Sequence, residues 1–120
     1  MKVVETSLPG LLIIEPRVFP DSRGFFVETY QRERYQSIGI AAEFMQDNLS
    51  FSSKGLLCGV HCQSPHAQGK LVQVLQGAVW DVAVDIRRKS LHFGRWTAVE
   101  LTAWICAWIL CIVGNGAVCL

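Results

Sequence analysis

A histidine and a lysine lie on neighbouring short segments that carry the alternating pattern of β-strands. His61 lies in Gly55-Leu-Leu-Cys-Gly-Val-His-Cys-Gln63, and Lys70 follows in Gln68-Gly-Lys-Leu-Val72. Histidine can remove a proton because its ordinary pKa lies near working pH, and a lysine ammonium can stabilise the enolate that results. The pair suits proton abstraction beside a carbonyl group. Alone, such a histidine is more often a hydrogen-bonded core residue, and such a lysine a solvated edge charge.

The elements that must position these two residues are mostly strands. In the segment 79–86, Trp80 and the apolar residues at even positions fall on one face, with Asp81 and Asp85 on the other, which predicts a half-buried strand. Similar segments, bounded by glycine, proline and serine, occur at Leu11 to Phe19, Phe25 to Tyr30, Glu43 to Asn48, Leu56 to Gln63, Lys70 to Gln76 and Arg95 to Leu101. The stretch 31–38 predicts a short helix before Gly39. Strands at this spacing predict an all-β sandwich or barrel.

Composition favours one globular domain and excludes several partners. The chain has 120 residues, of which 51% are hydrophobic and 18% charged, and its net charge is +1. A net charge this small does not provide the strongly basic surface that binds nucleic acid or an anionic membrane, so we expect neither as a partner. The first residues carry an acidic side chain and no long apolar run, which favours a cytoplasmic setting over secretion.

The cysteines are expected to be free thiols. Their odd number and the absence of a Cys-x-x-Cys spacing argue against a disulfide framework and a zinc ribbon. They are Cys58, Cys62, Cys106, Cys111 and Cys119.

Four motifs in order resemble the dTDP-4-dehydrorhamnose 3,5-epimerase family. They are Asp21-Ser-Arg-Gly-Phe-Phe-Val-Glu28, Phe44-Met-Gln-Asp-Asn48, the single block formed by the His61 and Lys70 segments together, and Trp80-Asp-Val-Ala-Val-Asp-Ile-Arg-Arg88. The resemblance implies a cupin-type jelly-roll β-sandwich that forms a homodimer and needs no cofactor. It also implies an isomerase that acts on a dTDP-4-keto-6-deoxyhexose on the route to dTDP-L-rhamnose.

The resemblance assigns roles to seven residues. His61 is carried over as the catalytic base and Lys70 as the cation that faces the keto oxygen of the sugar. Arg23 matches an arginine that contacts the diphosphate, a role suited to a planar fork of donors. Glu28 matches a residue that meets the thymine base. The site is also lined by the matching stretch Gln46, Asp47 and Asn48, whose alternative role is ordinary turn and strand-edge polarity.

Departures from the family pattern leave other functions open. Cys58 stands where the family has an arginine, and Cys62 replaces the aromatic residue after the histidine. The carboxylate that orients the histidine and the tyrosine that returns the proton have no counterpart before Ala103. The alternatives are a catalytically dead remnant that binds nucleotide sugars, or a related dTDP-sugar epimerase or ketoisomerase. Related cupins bind metal through His-x-His and a glutamate, but this chain has His61-Cys62-Gln63, so we expect no metal.

The resemblance ends at Ala103, which predicts a partial, C-terminally truncated cupin domain at 1–103 and an aberrant apolar tail at 104–120. Residues 101–120 carry no charge, and their strongest apolar run ends before Gly-Asn-Gly, too short to favour a membrane span. With suitable codons, a one-base shift of the tail reads Gly-Phe-Ala-His-Gly-Phe, as the family does, which predicts a frameshift. The alternative is an authentic hydrophobic strand. Missing strands would expose sheet edges, so we expect aggregation.

Overall fold

The structure, a computed structural model, describes residues 1–63 and 65–103 and the backbone of 108–111. These residues form eight strands and one helix. In chain order they are β1 (Lys2–Glu5), β2 (Leu11–Glu15), β3 (Val18–Asp21), β4 (Gly24–Val27), α1 (Arg32–Ser37), β5 (Lys70–Val72), β6 (Ala78–Val84), β7 (Trp96–Thr102) and β8 (Trp108–Cys111). The all-β class predicted from the sequence is confirmed.

The strands form one four-stranded sheet and two hairpins. The sheet has the order β1-β2-β8-β5, and every neighbouring pair in it is antiparallel. The hairpins are β3–β4 and β6–β7. Residues 108–111 thus pair with β2 on one side and β5 on the other. The domain boundary at Ala103 stays a prediction, since residues 104–107 and 112–120 lie outside the described residues.

Two hydrophobic clusters cover opposite faces of the four-stranded sheet. The first contains Leu11, Ala83 and Leu101, and joins the sheet to the β6–β7 hairpin. The second contains Ile14 and Tyr35, and joins the sheet to α1. This sheet is therefore the middle layer, because successive residues of β2 point to opposite faces. Each fully buried aliphatic side chain such as Ile14 contributes about 1.5–3 kcal/mol of hydrophobic free energy.

The helix lies where the sequence predicts it, although it is two residues shorter. Gln31 is its N-cap, and the side-chain oxygen of that residue accepts a hydrogen bond from the Arg34 N–H at 2.6 Å. Gly39 follows the helix with a φ of +88°, a conformation that glycine adopts without a steric cost.

The face of β6 that is buried is the reverse of what the alternation suggests. Asp81 and Asp85 are 4% and 3% exposed, whereas Trp80 is 68% exposed. The aspartates share their face with Ala83, which packs in the first cluster. A small residue at this position lets the hairpin approach the sheet closely. The apolar side chains therefore form the outer face of the hairpin.

Two predicted strands are absent from the described residues, and others are shorter than predicted. The segments 43–48 and 56–63 have no regular structure and are mostly exposed. A strand needs a neighbour for its backbone N–H and C=O groups, and the described residues place none beside these segments. The segment predicted from Leu11 to Phe19 is divided after Glu15 by Pro16, which lacks an N–H to donate.

Candidate active site

Lys70 opens β5 and faces the space between the four-stranded sheet and the β6–β7 hairpin. In the register of the sheet, Lys70 pairs with Cys111, and Cys111 pairs with Leu11. Residues paired directly across antiparallel strands point to the same face. Leu11 belongs to the first cluster, and Val72, two residues after Lys70, packs against that cluster. The half-buried side chain of Lys70 is thus placed on the inner face of the sheet.

Asp81 faces the same space from the opposite layer, and the sequence analysis missed it. It lies two residues before Ala83 and shares its face, and Oδ1 has no hydrogen-bond partner among the described residues. Burial raises the pKa of its carboxyl from 3.8 to about 6, and the backbone N–H of Val82 offsets only part of that rise. A buried carboxyl with a raised pKa, and with one oxygen that has no partner in the described part of the chain, is typical of a functional site.

His61 lies in an exposed segment without regular structure. Among residues 1–63 and 65–103 it has no hydrogen-bond or ion-pair partner, and no such contact joins it to Lys70. Cys58 and Cys62, on either side of it in the sequence, are exposed free thiols. The structure therefore places the predicted base at the surface and does not bring it together with the predicted cation.

Arg23 lies at the tip of the β3–β4 hairpin, where Asp21 holds it. Its Nη2 donates to Asp21 Oδ2 at 2.7 Å, and its backbone N–H donates to Asp21 Oδ1 at 2.8 Å. The guanidinium and backbone N–H of Arg23 together lower the pKa of Asp21. The Arg23 side chain is 88% exposed, so its remaining donors can reach an anion.

Glu28 is half-buried just beyond β4 and forms an ion pair with α1. The Arg34 Nη1 donates to Glu28 Oε1 at 2.8 Å. Two residues later, the ring of Tyr30 packs edge-on against Tyr35 and Phe44, with centroid distances of 4.9 and 5.5 Å. This aromatic contact places the segment that begins at Phe44 beside the region of Glu28.

The stretch Gln46, Asp47 and Asn48 follows that aromatic contact and is exposed. The Gln46 Nε2 donates to Asn48 Oδ1 at 3.0 Å. All three side chains are therefore open to a ligand. The polar residues predicted to bind substrate form separate groups at the β3–β4 tip, beside α1 and along this stretch.

No three histidine, cysteine, aspartate or glutamate residues come together as metal ligands in the part of the chain that the structure describes. Within the same residues, no helix is long and apolar enough to cross a membrane.

Comparison with known proteins gives one family. The family model for dTDP-4-dehydrorhamnose 3,5-epimerase matches residues 5–115, and so extends beyond Ala103. An enzyme of that name from Shigella flexneri is 50% identical over 105 residues, which are 86% of this chain and 58% of the relative.

Solved structures of epimerases are also similar to this chain. A dTDP-6-deoxy-D-glucose-3,5-epimerase from Legionella pneumophila, in complex with dTDP-4-keto-L-rhamnose, is 46% identical, with a TM-score of 0.91 over 96% of this chain and 62% of that one. A dTDP-4-dehydrorhamnose 3,5-epimerase from Bacillus anthracis, with TDP and pyrophosphate bound, is 40% identical, with a TM-score of 0.89 over 98% of this chain and 69% of that one. The chain spans a little more than half the length of the curated relative from Shigella.

Proposed function

Because this chain belongs to the dTDP-4-dehydrorhamnose 3,5-epimerase family, we propose that it is an isomerase acting on a dTDP-4-keto-6-deoxyhexose. The observation that carries the proposal is the 50% identity over 105 residues, which include the motifs around His61 and Lys70. The inner-face position of Lys70 supports it. The reaction would serve the supply of dTDP-L-rhamnose in the cytoplasm.

The proposed chemistry starts with His61. A neutral imidazole takes the proton from the carbon beside the ketone, and the electron pair of that C–H bond moves onto the keto oxygen as an enolate. The ammonium of Lys70, opposite that oxygen, stabilises the developing charge. A proton from solvent then adds to the opposite face of the enolate and inverts the carbon, and the imidazolium of His61 returns its proton to solvent. For this step, the exposed segment that contains His61 must move so that the imidazole reaches the inner face of the sheet.

The proposed binding residues contact different parts of the nucleotide sugar. Arg23 suits the diphosphate, because a guanidinium forms charge-assisted, bidentate hydrogen bonds with phosphate oxygens. The carboxylate of Glu28 suits the imide N–H of thymine. Gln46, Asp47 and Asn48 present amide and carboxylate groups for the remaining polar atoms. No cofactor or metal takes part in this proposal.

A second candidate function is the binding of dTDP-sugars without turnover. It is favoured by the position of His61, which is exposed and has no hydrogen-bond partner in the described residues. A base that nothing orients loses much of its catalytic effect, whereas the contacts of Arg23 and Glu28 require no proton transfer. Binding of dTDP with no exchange of substrate protons would favour this candidate.

We also propose that a second copy of the chain is its partner. The outer face of the β6–β7 hairpin supports this, because Trp80 and Trp96 are 68% and 65% exposed there. Burial of such a surface is a common driving force for association.

Solvent proton exchange tests the proposed reaction residue by residue. The chain is incubated in D2O with a dTDP-4-keto-6-deoxyhexose, and deuterium in the sugar is followed by NMR. His61→Asn should abolish uptake, and Lys70→Met should slow it by about a hundredfold or more, as expected for removal of a group that stabilises an oxyanion. Lys54→Met is the matched lysine control on an exposed turn, and should exchange at the unchanged rate. Uptake that persists in His61→Asn would contradict the assignment of the base.

A further inference from the structure

We infer that Arg34 is a positioning residue that holds Glu28 in place to recognise the pyrimidine base of the nucleotide. The inference rests on the binding role proposed above for Glu28. Arg34 lies in α1 and is not among the residues that the family motifs identify.

The contact between the two side chains leaves part of the carboxylate open to a ligand. Arg34 Nη1 donates to Glu28 Oε1 at 2.8 Å, and Oε2 has no partner among the residues that the structure describes. A carboxylate accepts hydrogen bonds on both oxygens, so it can hold the guanidinium with one and receive an imide N–H with the other. The Arg34 side chain is 63% exposed and that of Glu28 is 37% exposed, so a base can approach.

The backbone fixes both ends of this ion pair. Tyr35, the neighbour of Arg34, is 3% exposed in the second cluster, and its hydroxyl donates to the Thr29 carbonyl oxygen at 3.0 Å. Thr29 follows Glu28 directly, so this bond ties the helix to the backbone beside the carboxylate. At the other side, the Gln31 side chain accepts from the Arg34 N–H at 2.6 Å. The backbone from which the Arg34 side chain extends is therefore held in a fixed position.

An exposed ion pair contributes little to folding, so the loss of Arg34 is expected to leave stability almost unchanged. The same helix offers a comparison. Arg32 forms an ion pair with Glu43, and their side chains are 61% and 56% exposed. That pair has similar exposure and the same charges, but Glu43 has no proposed contact with a ligand. The two arginines thus differ mainly in the carboxylate that each one holds.

The experiment compares binding of dTDP and of inorganic pyrophosphate, measured by calorimetry on the full chain. Glu28→Gln should weaken dTDP binding about tenfold, as for loss of a charge-assisted hydrogen bond. Arg34→Gln should weaken it about three- to fivefold, as for loss of an exposed ion pair. Pyrophosphate carries no base, so its binding should change less than about twofold in either variant. Arg32→Gln, which lowers the net charge equally, should leave both ligands unaffected.

The possible results distinguish the positioning role of Arg34 from the binding role of Glu28 on which it rests. If Glu28→Gln weakens dTDP binding but Arg34→Gln behaves like Arg32→Gln, the positioning role is wrong and the binding role of Glu28 stands. If Arg34→Gln weakens both ligands equally, its effect is one of net charge and the inference is wrong. If Glu28→Gln changes nothing, or the unchanged chain does not bind dTDP, the proposed binding role fails and the inference fails with it.

Discussion

Replacing Asp81 with asparagine should stabilise the protein at pH 7.5 much more than at pH 4. Burial raises the pKa of this carboxyl from 3.8 to about 6, so its charged form is disfavoured in the folded state. Below its ordinary pKa the group is neutral in both states and carries no penalty. As the pH rises towards 6 the unfolded chain ionises first, and stability falls. Above that pH the penalty is complete, at about 3 kcal/mol for roughly two pKa units.

The asparagine amide keeps the shape of the carboxyl but does not ionise. Whatever its own burial costs, that cost is the same at both pH values and cancels in the comparison. The free energy of unfolding of Asp81→Asn, relative to the unchanged chain, should therefore be about 2–3 kcal/mol more favourable at pH 7.5 than at pH 4. Urea unfolding followed by far-UV circular dichroism measures both values.

Asp85, which directly follows β6 and is also buried, provides a control of opposite sign. Its carboxylate accepts from Arg87 Nη2 at 2.7 Å and from Ser90 Oγ at 2.6 Å, and the guanidinium holds its pKa well below the usual range. It stays ionised in the folded state at both pH values. Asp85→Asn should then cost about 3 kcal/mol or more at either pH, as when one partner of a buried ion pair is lost. If Asp81→Asn changed the free energy of unfolding equally at both pH values, burial would not penalise the Asp81 carboxylate.

Three further changes or measurements have expected outcomes. Tyr35→Phe removes the hydrogen bond to Thr29 and should lower the free energy of unfolding by about 1 kcal/mol in the same urea assay. Cys58→Arg restores the family's cation and should tighten dTDP binding about tenfold by calorimetry; unchanged affinity would place position 58 away from the ligand. Light scattering should find dimers or larger species rather than the 13.4 kDa monomer, and Trp80→Ser with Trp96→Ser should reduce them.

Much of the fold could be predicted from local pattern because its elements follow local physics. The helix was found from a charged, turn-free stretch, and the alternation in 79–86 gives a strand at Ala78–Val84. Alternation shows that the two faces of a strand differ, but it does not show which of them is buried. Asp85 is paired by Arg87, so it can be buried, while Trp80 remains outside. The segments 43–48 and 56–63 have strand-like sequences, but a strand also needs a neighbouring strand, which local sequence does not supply.

The motifs predict which residues belong to the candidate site, but they do not predict its geometry. The order of the motifs identifies the family, yet it says nothing about distances between His61 and Lys70, which depend on how distant segments pack. The sequence does not mark Asp81 as a site residue, because an acidic residue that alternates with valines is typical of a solvent-facing position. Arg34 was missed for a different reason: its significance comes from a contact with Glu28 across six residues, and many arginines on short helices are simply solvated.

We propose that this chain carries out proton exchange beside the ketone of a dTDP-sugar, and position-resolved NMR in D2O measures that exchange at each carbon. The unchanged chain, mixed with a dTDP-4-keto-6-deoxyhexose, is predicted to introduce solvent deuterium at both C3 and C5 of the sugar, with inversion at those carbons. Uptake at one carbon only would assign a single-position epimerase instead. No uptake at either carbon, under conditions where calorimetry shows that dTDP is bound, would contradict the claim and leave a protein that binds the nucleotide sugar without acting on it.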